Sequence, residues 1–309
     1  MIVTVTVNPT IDRVITVDRL AFEDRAYINS THESPGGRGI NASRVIHCFG
    51  GKTLALLTSG GDSGKRLEAH LANLGFPFQT VPIENQTRTN LVITDRHGLT
   101  VNLNEAGPVL SKVEVARAEK SIKDALAGAT WLMVCGSVPP GVPADFYARL
   151  ISAARKKKVK TLLHADSDSL RHGLEEKPTV VTPNQQEAER LLGRTLVTRT
   201  HYLDAAPLIR AMGAESVVLS VGSRGAVGAF DVGVVEAVPP RVDAVSPIGA
   251  GDALSAAYTW AIQRKSTPVE AMRWGVAAGT ASACLPGMSF ADLKQTEAIF
   301  SQVELRRAE

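Results

Sequence analysis

Cysteine is scarce: Cys48, Cys135 and Cys284 are the only three in 309 residues. A set this small, odd in number and widely spaced, argues against a disulfide framework or a zinc cluster. A dominant charge sign is missing too. Lys and Arg total 34 against 31 Asp and Glu, a formal charge of +3 with no clustered basic stripe, which argues against a dedicated nucleic-acid surface. The one basic run, Arg155-Lys156-Lys157-Lys158, closes a helical pattern, where cations suit the helix dipole. No apolar run approaches the roughly 18 residues of a membrane span. The stretch Met1-Ile2-Val3-Thr4-Val5-Thr6-Val7 lacks the basic head and cleavage site of a signal peptide and reads as a first β-strand. These absences predict a cytoplasmic protein with neither nucleic acid nor membrane as a partner. What is present, 44% hydrophobic and 21% charged residues, is the composition of a globular chain.

No Ser/Gly-rich linker, charge block or internal repeat divides the chain, although its length permits one large domain or two small ones. From about residue 40 onward, short apolar runs alternate with helical patterns. Residues 54–58, 131–135, 161–164, 180–182 and 217–221 read as buried strands. Residues 63–74, 144–157, 185–192 and 204–212 read as helices between them. Such alternation predicts βαβ units and an α/β fold with a mostly parallel sheet covered on both faces. Residues 12–34 and 88–104 break the rhythm with half-polar, β-rich patterns, and Arg96-His97-Gly98 supplies a hairpin turn. They predict a small separate sheet, either a lid over a site or a subunit contact, and such an exposed sheet tends to recruit another edge or face. Further on, residues 249–262 and 269–285 are long Ala/Gly-rich helical patterns that allow close packing.

Two glycine motifs invite a nucleotide-binding reading and fail it. Gly37-Arg38-Gly39-Ile40-Asn41-Ala42 fits a loose dinucleotide pattern, but residues 8–36 separate it from the first strand, which a true fingerprint follows directly. Gly60-Gly61-Asp62-Ser63-Gly64-Lys65 resembles a P-loop, yet Ser59 stands where the first glycine belongs and Arg66 where a Ser or Thr would hold Mg²⁺. Ser246-Pro247-Ile248-Gly249-Ala250-Gly251-Asp252-Ala253 is more informative. Its glycines allow a tight turn that gathers N–H groups into one concavity, to which the following helix adds its positive end. Asp252, in the first turn, is placed to accept a proton from an attacking hydroxyl; alone, it reads equally as a favourable acid at a helix start.

Several motifs in order lift this ambiguity. Gly36-Gly37-Arg38-Gly39-Ile40-Asn41-Ala42, Thr182-Pro183-Asn184-Gln185-Gln186-Glu187 and Gly249-Ala250-Gly251-Asp252 resemble, across essentially the whole chain, the signatures of the phosphofructokinase B, or ribokinase-like, sugar kinases. Asn8-Pro9-Thr10-Ile11-Asp12, Thr87-Arg88-Thr89-Asn90, Gly136-Ser137-Val138-Pro139-Pro140-Gly141 and Ser246 resemble the branch that acts on sugars already phosphorylated. The resemblance implies a three-layer α/β/α core (1–11, 35–87, 105–309) with a β lid (12–34, 88–104) in one domain. It implies ATP-dependent phosphorylation of fructose 6-phosphate, tagatose 6-phosphate or fructose 1-phosphate to the bisphosphate.

The resemblance also assigns roles. Asp252 is the general base, and Gly249, Ala250, Gly251 and Asp252 form the anion hole. Asp12, Gly37, Asn41 and Ser137 fall at the sugar, and Arg88 and Arg25 are cations for its phosphate, as a dianion requires. Asn184, Ser220, Gly222, Gly225, Val276 and Thr280 match the ATP site, with Val276 reading almost equally as helix packing. Asn184 and Glu187 would organise Mg²⁺ through water, and Ser246, Ile248 and Gly287 a monovalent cation such as K⁺. A homodimer through the lid is expected. Three positions depart from the family pattern: Thr182 replaces a nucleotide-phosphate lysine, Arg38 a lysine or glycine, and His164 a frequent Asp. Thr182 and His164 keep open a catalytically weak sugar-phosphate sensor, and a kinase for an unphosphorylated sugar or nucleoside is the other alternative.

Overall fold

Ile2–Thr6, five consecutive buried residues that are all β-branched, form strand β1, and the fold is arranged about it. In the computed structural model, which describes residues 1–21 and 23–307, the chain continues through β2 (Thr10–Val17), β3 (Ile28–Gly36), α1 (Arg38–Cys48), β4 (Thr53–Gly60), α2 (Gly61–Ala72), β5 (Phe78–Ile83), β6 (Arg88–Asp95) and β7 (Thr100–Leu103). Then come α3 (Lys112–Ala125), β8 (Trp131–Cys135), α4 (Phe146–Lys156), β9 (Lys160–His164), α5 (Ser167–Glu175), β10 (Val180–Val181), α6 (Gln185–Leu192), α7 (Arg199–Ala211) and β11 (Ser216–Ser220). The last third holds β12 (Ala226–Phe230), β13 (Gly233–Val238), α8 (Ala250–Gln263), α9 (Pro268–Ala283), α10 (Leu293–Phe300) and β14 (Glu304–Arg307).

Among the described residues these strands make a ten-stranded sheet, in the order β14-β13-β12-β11-β10-β9-β8-β1-β4-β5, and a four-stranded sheet, β3-β2-β6-β7. Pairing is parallel from β5 to β11 and antiparallel from β11 to β14. Strand alternation divides the core into two layers. On β8, Leu132 and Val134 pack into the cluster that includes Ile122, Phe146, Leu170 and Ile209 of α3, α4, α5 and α7. Trp131, Met133 and Cys135 face the opposite way, toward Val45, Ala257 and Met272 of α1, α8 and α9. No helix among the described residues is long and apolar enough to cross a membrane.

Two features of this topology position the site. Strand β1 lies between β4 and β8, so the chain builds outward on one side of β1 and later returns to build on the other. Such a switch point opens a crevice at the carboxyl ends of the strands. The second feature is the close approach of α8 and α9, as their Ala/Gly content predicts. A Cβ on Gly279 would lie 2.9 Å from the Ala250 carbonyl oxygen, and one on Gly275 would lie 2.8 Å from that of Leu254.

The expected strands and helices appear with ends shifted by a few residues. Helix α7 starts earlier than its apolar period indicates because Thr198 caps it, accepting from the His201 amide. Strands β12 and β14 carry weak patterns of their own. Ala226–Phe230 is rich in Ala and Gly, Glu304–Arg307 is charged, and both are defined by antiparallel pairing to β13. In the small sheet, β2 and β6 run parallel in register, which sets Asp12 beside Asn90.

Candidate active site

Two helix N-termini meet at the crevice. Gly37, at φ 126°, turns the chain from β3 into α1, and Gly249, at φ 80°, turns it into α8; both conformations favour glycine. Asn41, one turn into α1, donates from Nδ2 to Oδ2 of Asp252 at 2.8 Å. The other carboxylate oxygen, Oδ1, stands 3.1 Å from Nε2 of His164 at the end of β9. Asp252 is buried and fixed at both oxygens, so its orientation is set before any ligand arrives.

Across the cleft, Asp12 reaches in from the small sheet. Its Oδ1 accepts from Asn90 Nδ2 at 2.9 Å. Burial pushes its carboxyl above the usual carboxylate range, against the opposing pull of Asn90 and Arg88. Gly36 makes room for it, since a Cβ there would lie 2.0 Å from Asp12 Oδ2. Arg88 donates to the carbonyls of Asn8 at 3.1 Å and Glu105 at 2.8 Å, and burial lowers its guanidinium from the ordinary value. Ser137 accepts from Asn8 at 3.1 Å. The residues that close the cleft follow the strands of the switch point: Thr6 and Asn8 after β1, Gly136 and Ser137 after β8, and Asp166 after β9.

The cleft is under-satisfied. Asn8 Oδ1, Arg38 Nη1, Arg88 Nε and Asn90 Oδ1 are buried with no hydrogen-bond partner, and all four residues line it. Buried polar atoms in folded proteins nearly always have partners, so this cluster of orphans leaves hydrogen-bonding capacity in the cleft for water or a polar ligand. Two of the four belong to guanidiniums, which suit an anion.

Other expected residues fall around this centre. Arg25 does not reach the cleft: it is exposed on the segment between β2 and β3, and its backbone amide donates to Asp24. Ser220 and Asn184 form a β-bridge, placing the two loops side by side. Gly222 and Gly225 have φ of 62° and 95°, and a Cβ on Gly225 would come within 2.0 Å of the Ala237 carbonyl oxygen. Val276 is buried in the core of α9, while Thr280 on the same helix is half-buried. Ser246 Oγ accepts from the Ile248 amide, the Ser246 amide donates to the Ala283 carbonyl, and Gly287 turns the chain at φ 61°.

The departures from the family pattern are engaged in the same region. Arg38 donates to buried Glu187 at 2.8 Å; burial works against its charge, but Glu187 and Asp252 hold the guanidinium above its ordinary value. Glu187 Oε2 accepts from the Asn184 amide, closing a capping box at the start of α6. Thr182 touches His164 rather than open solvent. Arg224 is exposed and stacks over Tyr202. Asn8 and Asn90 belong to the branch motifs without an assigned role, and Asp166 joins them in the cleft lining. Asn90 was legible in principle, two residues past Arg88 on a strand and so on the same face.

Asp12 yields a prediction for stability. Because its folded pKa is raised, its contribution to stability is full below its unfolded value and is lost as pH rises through the folded one. Asp12→Asn therefore melts higher than the parent at neutral pH, and this advantage vanishes below about pH 4. Thermal melts across that range check it.

A polar, cation-lined cleft at the switch point of a three-layer α/β/α fold, with a small sheet packed at its mouth, defines a ribokinase-like enzyme. The chain belongs to the pfkB family of carbohydrate kinases, whose model matches residues 4–295. It is 32% identical over 301 residues to ATP-dependent 6-phosphofructokinase isozyme 2 of Mycobacterium tuberculosis, covering 97% of this chain and 88% of that protein. It is 31% identical over 303 residues to the isozyme 2 of Escherichia coli, covering 97% and 98%. Solved structures of phosphofructokinase-2 from Escherichia coli, one in complex with fructose-6-phosphate and one with potassium, superpose with TM-scores of 0.89 and 0.91. Each is 30% identical, covering 97% of this chain and 98% of that one.

Proposed function

We propose that the chain is an ATP-dependent kinase that phosphorylates a ketohexose phosphate to the bisphosphate, with fructose 6-phosphate or tagatose 6-phosphate favoured over fructose 1-phosphate. The observation that carries this reading is the set of orphaned polar atoms and two guanidiniums facing Asp252 across one cleft. The names of the Mycobacterium tuberculosis and Escherichia coli relatives support the choice of a 6-phosphate, while two relatives at 24% and 29% identity are named 1-phosphofructokinase.

In this reading, Asp12 and Asn41 hold the sugar hydroxyls, and Arg88 forks around the sugar phosphate. Asp252 takes the proton of the acceptor hydroxyl as its oxygen attacks the γ-phosphorus, and the bond from that phosphorus to ADP breaks in line. Such a reaction demands positioning and charge stabilisation rather than covalent chemistry from the protein. The Ala250 amide already donates to the Pro247 carbonyl at 3.2 Å, so Gly249, Gly251 and Asp252 carry the anion hole. Gly222 and Gly225 turn the ATP loop beside Ser220. Arg38, with Nη1 free in the cleft, offers the phosphates a cation where Thr182 removes one.

The donor set suits a hydrated Mg²⁺ entering with ATP. Asn184 is half-buried and its Oδ1 accepts only from the Glu187 amide, keeping a lone pair for a metal-bound water, while Glu187, its side chain fully buried, fixes that residue through the capping box. Asn184 and Glu187 would hold the ion there, and it would neutralise phosphate charge. The turns at Ser246–Gly249 and Gly287 are the proposed K⁺ loop, supported by the potassium complex of the relative. The small sheet is the proposed lid. Its exposed Tyr27, Ile28, Leu99 and Leu103 support dimerisation of the lids, and the protein is read as cytoplasmic.

A coupled ADP-release assay with Mg²⁺ and each of the three ketose phosphates tests the reading. Turnover on a 6-phosphate at least tenfold above unphosphorylated fructose is expected. Tight binding without turnover on any of them would instead make the protein a sensor.

A further inference from the structure

The ring of His164 is buried at the end of β9, and its two nitrogens meet opposite demands. Nδ1 lies 2.9 Å from the Thr182 carbonyl oxygen and 3.0 Å from Thr182 Oγ1. A carbonyl oxygen only accepts, so Nδ1 must carry hydrogen. The neighbouring hydroxyls agree. Ser255 donates to the Gly251 carbonyl at 3.0 Å, so its contact with Thr182 Oγ1 at 2.9 Å is filled by the Thr182 proton. Thr182 then has no hydrogen left for the ring, and Nδ1–H serves both Thr182 oxygens. On the other side, Nε2 stands 3.1 Å from Asp252 Oδ1, while Asn41 donates to Oδ2. Two lone pairs would meet at Nε2 unless a second proton sits in that contact.

We propose that His164 is an imidazolium in the resting protein and acts as a positioning residue, its Nε2–H holding Asp252 ionised and aimed at the cleft. The kinase reading above gives this its catalytic meaning. In the transfer step the proton leaving the sugar hydroxyl goes to Asp252, the new bond is O–P, the broken bond is P–O of ADP, and His164 keeps both of its protons. Deprotonation of the ring at Nε2 sets a lone pair against the carboxylate and removes the hydrogen bond that orients the base. Activity therefore falls on the alkaline side with a one-proton limb.

Asp252 on α8 is in direct contact with the ring and Cys135 is its register partner on β8, while Arg38 on α1 interacts with Asp252 and with Asp166 just past β9. Burial raises the Cys135 thiol, which stays neutral. Arg38 is matched by Glu187. Asp252 is thus the anion in direct contact with the ring.

Nitrogen-15 NMR of the seven histidines reads the ring state without any turnover, His164 being assigned by its loss in His164→Gln. Both His164 nitrogens should be protonated at neutral pH, and Asp252→Asn, which removes the facing anion, should move the ring toward the singly protonated form. A neutral, singly protonated ring at pH 7 would overturn the proposal. In kinetics, the parent kcat should fall about tenfold per pH unit along the alkaline limb. His164→Gln, whose amide donates at every pH, should lack that limb, and its survival in the variant would equally refute the role. If the ring is doubly protonated but no sugar phosphate is turned over, the kinase reading fails while the proton assignment stands.

Discussion

Asp252→Asn lowers kcat for the best sugar phosphate by about 10²- to 10⁴-fold, the span of general-base catalysis, while sugar-phosphate affinity stays within a factor of a few. The reasoning is geometric. The amide that replaces the carboxylate fills the same space at the start of α8, so the contact with Asn41 is altered but the helix turn is not. What is lost is the capacity to accept a proton from the attacking hydroxyl. A coupled assay for kcat and calorimetry for binding separate the two effects. Undiminished turnover would remove Asp252 from the chemistry.

Arg88→Ala raises KM for the sugar phosphate by at least about 30-fold, equivalent to roughly 2 kcal/mol, the lower end of losses on truncating one member of a buried charged pair. Arg88 combines burial, an orphaned Nε and two N–H groups spent on backbone carbonyls, so its fork is held rigidly toward the cleft. Arg88→Lys keeps the charge without the fork and should fall between parent and alanine variant. Circular dichroism and melting curves control for the lost brace on Asn8 and Glu105. The informative comparison is with the unphosphorylated sugar, whose KM should hardly change. An unchanged KM for the phosphate would mean that the natural acceptor lacks one.

Asp12, Asn41 and Asp252 are far apart in sequence and needed motif order to be linked. Their residue types are what a hydroxyl-binding and proton-accepting site demands, glycine at 37 and 249 announces tight turns because the backbone there takes positive φ, and glycine at 36 leaves room for Asp12. Arg25 shows the limit of such reading. A cation in the right segment is a candidate by chemistry, yet here the loop leaves it in solvent. Asn8 and Asn90 show the converse, since neither amide is distinctive alone. One gains meaning from parallel register with Asp12, the other from the switch point at β1.

Residue order alone determined the α/β alternation, the buried strands, the small half-polar sheet and the glycine turns ahead of α1 and α8, because periodicity and backbone permissiveness are local properties. Only the tertiary structure decided that Arg38 would be matched by Glu187, that Thr182 and His164 would form one chain of hydrogen bonds ending on Asp252, and that four polar atoms would be left without partners in one cleft. Those are matters of distance between groups separated by dozens to hundreds of residues. Hydrogen bonding and desolvation act over a few ångströms of space, whatever the separation along the chain.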